Sequence, residues 1–538
     1  MTTAQAAESQ NPYLEGFLAP VSTEVTATDL PVTGRIPEHL DGRYLRNGPN
    51  PVAEVDPATY HWFTGDAMVH GVALRDGKAR WYRNRWVRTP AVCAALGEPI
   101  SARPHPRTGI IEGGPNTNVL THAGRTLALV EAGVVNYELT DELDTVGPCD
   151  FDGTLHGGYT AHPQRDPHTG ELHAVSYSFA RGHRVQYSVI GTDGHARRTV
   201  DIEVAGSPMM HSFSLTDNYV VIYDLPVTFD PMQVVPASVP RWLQRPARLV
   251  IQSVLGRVRI PDPIAALGNR MQGHSDRLPY AWNPSYPARV GVMPREGGNE
   301  DVRWFDIEPC YVYHPLNAYS ECRNGAEVLV LDVVRYSRMF DRDRRGPGGD
   351  SRPSLDRWTI NLATGAVTAE CRDDRAQEFP RINETLVGGP HRFAYTVGIE
   401  GGFLVGAGAA LSTPLYKQDC VTGSSTVASL DPDLLIGEMV FVPNPSARAE
   451  DDGILMGYGW HRGRDEGQLL LLDAQTLESI ATVHLPQRVP MGFHGNWAPT
   501  TCRRLGCDTV THTTQRAGGS HERRQKGFPW ASASRSTD

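Results

Sequence analysis

The sequence lacks most of the features that mark secreted, membrane-spanning or nucleic-acid-binding chains. Its eight cysteines (93, 149, 310, 322, 371, 420, 502 and 507) are scattered over 538 residues with no Cys-x-x-Cys pair. In a chain this long, that pattern reads as reduced thiols and excludes a disulfide framework. Cys502-x4-Cys507 alone is a poor metal motif. The first ten residues carry neither a basic stretch nor an apolar one, so no secretory signal is visible. No run approaches the roughly 18 apolar residues that a membrane span needs. Basic excess is absent too: the formal net charge is -10 and the pI near 6.1, which argues against nucleic-acid binding. Gly-x-Ser-x-Gly and His-Glu-x-x-His are missing, and with them the usual local signatures of serine hydrolases and zinc peptidases. These absences together imply a cytoplasmic globular protein.

Glycine (53) and proline (41) are plentiful, and short apolar runs lie between them. One unit recurs: a strand, a tight polar turn and a second strand. Val72 to Tyr82 turns at Asp76-Gly77. Similar pairs span 189–200, 358–369 and 469–483, with a weaker one at 416–427. Helical periodicity is almost absent, so the fold class is all-β. Strand pairs recurring every few tens of residues suggest a β-propeller, in which stacked blades leave only short edges exposed. Periodicity alone leaves a β-sandwich with insertions open.

Three segments depart from the pattern. Residues 1–12 are polar and expected to be flexible, and 13–500 read as a single domain. Within it, 236–273 carry apolar residues such as Leu243, Val250, Val254 and Val258 on one helical face, with Arg241, Arg245, Arg248 and Arg259 largely opposite. This basic amphipathic insertion, 241–259 at its centre, reads either as a peripheral membrane contact or as a helix packed on the main body. Residues 501–538 are rich in Arg, Ser, Thr and Gly without apolar periodicity, and are expected to be disordered.

Four of the 20 histidines stand in similar surroundings of strand and turn: His162 (Tyr-Thr-Ala-His-Pro), His211 (Met-Met-His-Ser-Phe), His314 (Tyr-Val-Tyr-His-Pro) and His494 (Met-Gly-Phe-His-Gly-Asn-Trp). Their wide separation rules out a local metal motif. In a propeller, strand ends from distant blades converge on the axis, and an axial site would show such spacing. These stretches, in this order, resemble the four iron-ligating segments of the carotenoid cleavage oxygenase family, which also includes lignostilbene dioxygenases and the vertebrate retinoid isomerase. Gly42-Arg-Tyr-Leu-Arg-Asn-Gly-Pro-Asn50 and His61-Trp-Phe-Thr-Gly-Asp66 match the same family, so the resemblance runs from about Asn11 to Pro499.

The resemblance implies a seven-bladed β-propeller, with loops and a short helical insertion capping the active-site face. It implies one Fe(2+) held by His162, His211, His314 and His494, with O2 as co-substrate. Glu131, Glu378 and Glu438 match the three carboxylates that anchor ligating imidazoles in the family, without a pairing to individual histidines. Thr117, in Asn116-Thr-Asn-Val119, matches a position beside an open iron site. Imidazole suits iron, zinc and copper alike, so the ligands alone do not select the metal.

The expected reaction is cleavage of a conjugated carbon–carbon double bond by O2 to give two carbonyl products. Lignostilbene-cleaving relatives commonly carry a Lys just before the first carboxylate, and with a nearby Tyr it holds the substrate phenol. Here that position is Val130, and no Tyr lies between Tyr82 and Tyr137. A buried phenolate would be poorly compensated, which favours an apolar carotenoid or apocarotenoid over a stilbene. A same-fold isomerase and a non-catalytic binding propeller are the readings from other classes. The resemblance also places the amphipathic insertion where such enzymes have a membrane-facing entrance.

Overall fold

The computed structural model describes residues 11–100, 113–178, 181–230, 278–342, 349–399 and 412–500. The amphipathic segment 236–273 and the tail 501–538 lie outside them, as do residues 1–10. Of the N-terminal stretch, Asn11 is anchored: its amide donates to the Pro57 and Tyr60 carbonyls at 2.8 and 2.9 Å. Among the described residues the one α-helix is Pro90–Leu96, capped by Thr89 and ended by Gly97 in a left-handed conformation.

The strands form seven antiparallel sheets of four to six strands, plus one two-stranded ribbon. This is the seven-bladed propeller. The second blade runs Asn118–His122, Arg125–Leu129, Asn136–Leu139 and Thr145–Cys149. The next four blades begin at Gln164, Ser214, Tyr311 and Gln377 and repeat this meander. All five expected hairpins are present. Asp76 and Gly77 take φ of 52° and 67°, the left-handed pair that a two-residue hairpin turn requires. Polarity follows distance from the axis. The outer strand Ser424–Val427 is fully exposed, whereas Gln377–Arg381 of the same blade is buried except at Arg381.

The ring closes at two seams made by strands from opposite ends of the chain. Val32–Gly34 completes the seventh blade by pairing with Ser479–His484. Gly495–Pro499 joins the first blade beside Gly42–Pro49, in a register that sets Arg46 against Gly495 and Gly42 against Pro499. The sequence pattern did not reveal this last strand, because it is short and framed by Gly and Pro. Gly42 and Gly495 are required there: a Cβ on Gly42 would sit 2.5 Å from the Ala498 carbonyl oxygen, and one on Gly495 2.5 Å from that of Leu45.

The core is built between blades. One cluster joins Tyr44, Val72 and Tyr82 of the first blade to Val440, Met456, Tyr458 and Leu471 of the seventh. A larger one runs through Val175, Tyr187, Val221, Tyr311 and Leu331 across the third to fifth. The six described cysteines are unpaired. No helix among the described residues is long and apolar enough to cross a membrane. A chain ending at His494 loses the closing strand and leaves Gly42–Pro49 as an open edge. Its thermal unfolding, followed by circular dichroism, is expected to lose the single cooperative transition of the full chain.

Candidate metal centre

The four predicted histidines meet at one point. One ligand atom from each of His162, His211, His314 and His494 lies within 4.8 Å of all the others. The Nε2 atoms of His162 and His211 are 2.9 Å apart, and those of His211 and His314 are 3.2 Å apart. Adjacent nitrogens around a six-coordinate ion with bonds near 2.1 Å stand about 3 Å apart, so the cluster is sized for one ion.

The tautomers point the same way. His211 Nδ1 lies 2.7 Å from Glu131 Oε2, His314 Nδ1 2.6 Å from Glu378 Oε2 and His494 Nδ1 2.9 Å from Glu438 Oε1. A carboxylate beside Nδ1 keeps the proton there and turns the Nε2 lone pair inward, as in known metal sites. Three inward lone pairs packed beside a fourth imidazole repel one another unless a cation sits between them. The donor set therefore fits a divalent transition metal. His162 has no carboxylate; its backbone N–H donates to Thr160 Oγ1.

Each blade supplies one of these seven residues. The histidines come from the third, fourth, fifth and first blades, and the carboxylates from the second, sixth and seventh. Local backbone departures aim them inward. Glu378 sits at a break in strand register, where Phe379 takes φ of 52°, and its Oε2 accepts the Phe379 N–H at 2.8 Å. Glu131 precedes Ala132 and Gly133, with φ of 62° and 82°. Non-glycine residues held at positive φ concentrate at functional sites, where packing over-determines them.

The carboxylates are themselves held, each differently. Tyr177 donates to Glu131 Oε1 at 3.2 Å and is paired with the Tyr280 hydroxyl at 2.8 Å. Tyr336 donates to Glu378 Oε1 at 2.8 Å. Arg381 grips both oxygens of Glu438 at 2.9 and 3.2 Å and also donates to the Gly495 carbonyl. Burial alone would raise the Glu378 and Glu438 carboxyls. The His314 ring outweighs it at Glu378, and Arg381 with His494 outweighs it at Glu438, so both stay below their ordinary value. Burial pushes His494 down to about 4 against the pull of Glu438. Burial and then the neighbouring imidazoles hold His162 well below its usual value. Both rings are thus kept neutral and able to ligate.

Thr117 lies beside this cluster. Its carbonyl accepts the His494 N–H at 3.0 Å, and its hydroxyl donates to Asn116 Oδ1 at 3.2 Å. The surrounding asparagines are site residues the sequence did not single out. Asn47 donates to the Pro115 and Asn118 carbonyls, and Asn118 to the Ala161 carbonyl, next to His162. Asn496 donates to Asn118 Oδ1. Arg381, Tyr177, Tyr280 and Tyr336 were likewise not anticipated, since nothing local distinguishes them from ordinary strand residues. Aromatic rings wall the centre: Phe379 stacks on His314 and meets the edge of His494, and Tyr313 packs against His211.

Asp332, His391 and Cys420 form a second buried cluster with metal-like composition. Arg357 already takes both oxygens of Asp332 at 2.7 and 2.8 Å. Asn317, whose carbonyl accepts the Gly388 N–H, places its amide nitrogen 3.1 Å from His391 Nδ1. That leaves the ring proton on Nε2 and no lone pair there for an ion.

Replacing His494 by Ala removes one of the four converging imidazoles and is expected to abolish stoichiometric metal binding while the fold persists. Glu378→Gln keeps the shape but loses the anion facing Nδ1, and should weaken metal retention by about 10- to 100-fold. Metal content after dialysis, read beside the circular dichroism spectrum, checks both.

Comparison with known proteins places the chain. The family profile described as retinal pigment epithelial membrane protein matches residues 18–499. A carotenoid 9,10(9',10')-cleavage dioxygenase of Crocus sativus is 29% identical, over 90% of this chain and 88% of that one. An isoeugenol monooxygenase of Pseudomonas putida is 27% identical, over 91% and 98%. Among solved structures, a Pseudomonas brassicacearum lignostilbene dioxygenase superposes with a TM-score of 0.72 at 24% identity, over 91% and 99% of the two chains. A cobalt-substituted Synechocystis protein, ACO, gives 0.69 at the same identity, over 89% and 97%. With its propeller and its four-histidine centre, the chain belongs to the retinal pigment epithelial membrane protein family, the carotenoid cleavage oxygenases, a family of oxidoreductases.

Proposed function

We propose that this protein is a non-haem Fe(2+) dioxygenase that cleaves a conjugated double bond of a carotenoid or apocarotenoid with O2, giving two carbonyl products. The observation that carries the reading is the set of four convergent imidazoles, three of them aimed by a carboxylate at Nδ1. Four neutral ligands leave an iron ion its full charge and, in an octahedral arrangement, two positions, so the bound metal would supply a place to activate O2 beside an alkene.

The chain's own residues have the remaining tasks. Glu131, Glu378 and Glu438 keep the Nδ1 protons in place and hold the rings in one orientation. Phe379 and Tyr313 provide apolar walls that keep water from the reacting bond. Thr117, tied to the His494 backbone, is assigned to one of the positions left by the histidines, where it limits what approaches. No protein nucleophile or acid–base pair is needed.

The polyene class rests on Val130, which is buried and stands where a phenol-binding Lys would be needed. A phenolic alkene is the second reading. The match to the isoeugenol monooxygenase over 98% of that enzyme favours it.

Anaerobically reconstituted protein, exposed to labelled O2 with carotenoids, apocarotenals and hydroxystilbenes, should yield two aldehydes or ketones from a polyene, each carrying label, as read by mass spectrometry. Products without label would point to isomerisation or hydrolysis, and turnover of the stilbenes alone to the phenolic reading. Protein that takes up no Fe(2+) would exclude the oxygenase altogether.

The basic amphipathic pattern of 241–259 supports a peripheral membrane contact, as extraction of an apolar polyene requires. Deleting those residues should reduce co-sedimentation with anionic liposomes, most clearly at low salt. Unchanged co-sedimentation would assign the segment to packing instead.

A further inference from the structure

Behind the His494 branch, at the seam between the first and seventh blades, lies a buried guanidinium that the metal chemistry does not use. Arg46 follows Tyr44 by two residues on Gly42–Pro49, so both face the same side of the strand. It pairs in register with His70 on Ala67–Arg75. Across the seam stands Tyr458 of Gly453–His461, whose ring is 5.0 Å from Tyr44, 6.3 Å from His70 and 5.7 Å from the Arg46 Cζ. Arg46 is 6% exposed, Tyr458 4% and Tyr44 not at all. The guanidinium packs against Gly492, where a Cβ would come within 1.7 Å of Nη1.

The rings and the guanidinium pack on one another, but three of their polar atoms are left without a hydrogen bond. Arg46 Nε and the hydroxyls of Tyr44 and Tyr458 are buried without a hydrogen-bond partner. Among the described residues no carboxylate lies within ion-pair distance of Arg46. Glu438 is the carboxylate whose charge it feels, but its oxygens are occupied by His494, Arg381 and the Gly495 N–H. His70 adds a donor. Gln487 donates to the Tyr82 oxygen at 3.2 Å, which leaves the Tyr82 hydroxyl proton for His70 Nδ1 at 3.0 Å. The ring N–H is then on Nε2. Burial, with Arg46 and Arg488 nearby, keeps that ring neutral.

A buried cation without an acceptor is strongly unfavourable. The seam offers N–H and O–H donors around one positive charge. Water could accept from these donors as well, but only an anion also offsets the guanidinium charge. We propose that this seam is a binding site for a small monovalent anion of the halide class, held by Arg46 with the hydroxyls of Tyr44 and Tyr458. Arg46 belongs to the strand on which the closing strand pairs, and Tyr458 to the last blade. The bound anion therefore ties the two ends of the ring together, and it acts on stability and not on the reaction.

Bromide serves as the probe. Iron-loaded full-length protein crystallised with bromide in place of chloride should show an anomalous peak between Arg46 and Tyr458, distinct from the metal centre. Its unfolding temperature should rise saturably with bromide compared with gluconate at equal ionic strength, because a ligand of the native state stabilises by mass action. Arg46→Met should lose both signals. Should that variant fail to fold, Tyr458→Phe keeps the ring and removes one donor, and the bromide midpoint should rise about tenfold. Three results would overturn the proposal. One is no peak at the seam in the wild type, or one at the iron only. Another is unfolding that does not distinguish bromide from gluconate. The third is a response that survives Arg46→Met or is unchanged in Tyr458→Phe.

Discussion

Lone-pair repulsion among the converging imidazoles is the constraint on which the centre depends. Nε2 lone pairs at 2.9 and 3.2 Å repel one another without a cation between them, so the metal-free chain must offset that repulsion by other means. The carboxylates do this at His211, His314 and His494. An anion facing Nδ1 fixes the tautomer and the ring plane, and partly offsets the desolvation of a buried imidazole. Each carboxylate then needs a donor of its own, because a buried charge without one is more costly than the arrangement it supports. The chain provides a tyrosine pair at Glu131, a single tyrosine at Glu378 and a bidentate arginine at Glu438.

Those three supports are not equivalent, and the difference has consequences for the rings. Arg381 carries a full charge against Glu438, so that carboxylate presents less negative potential to His494 than Glu378 presents to His314, where the donor is a neutral phenol. His162 has no anion at all. The four imidazoles are therefore held by unequal surroundings, and the field around a bound ion is uneven. The backbone strain lies on the same path. Phe379 at positive φ is the residue whose N–H closes on Glu378 and whose ring covers His314 and His494.

Much of this was legible in the sequence, and for stated reasons. Asp-Gly and similar turns between alternating runs gave the hairpins, because hairpin turns require left-handed residues at fixed positions. The four histidines were legible through the motifs around them, and their convergence follows from the propeller geometry. The pairing of carboxylates with histidines was not legible. Glu131 serves a histidine from two blades further on, a relation that exists only once the ring is closed. Arg381 and the asparagines at 47, 118 and 496 were missed for the same reason. Their partners are distant backbone carbonyls and carboxylates, which leave no periodic or compositional trace. The closing strand was missed because five residues starting with Gly and ending with Pro lack the alternation that marks a strand.

The closing strand links fold to chemistry most directly. The stretch from Pro490 to Pro499 carries His494 and then enters the first blade, so a candidate metal ligand and ring closure share one short segment. Asn47 reinforces the link: its backbone carbonyl accepts the Phe493 N–H and its own N–H donates to the His494 carbonyl. The position of the fourth imidazole is thus a direct readout of whether the propeller is shut. Arg46, on the neighbouring residue, bears on the same seam through Gly492, which must be glycine to accommodate the guanidinium. A perturbation of the seam therefore acts on the centre through the His494 backbone, and one in another blade acts through the single residue that blade supplies.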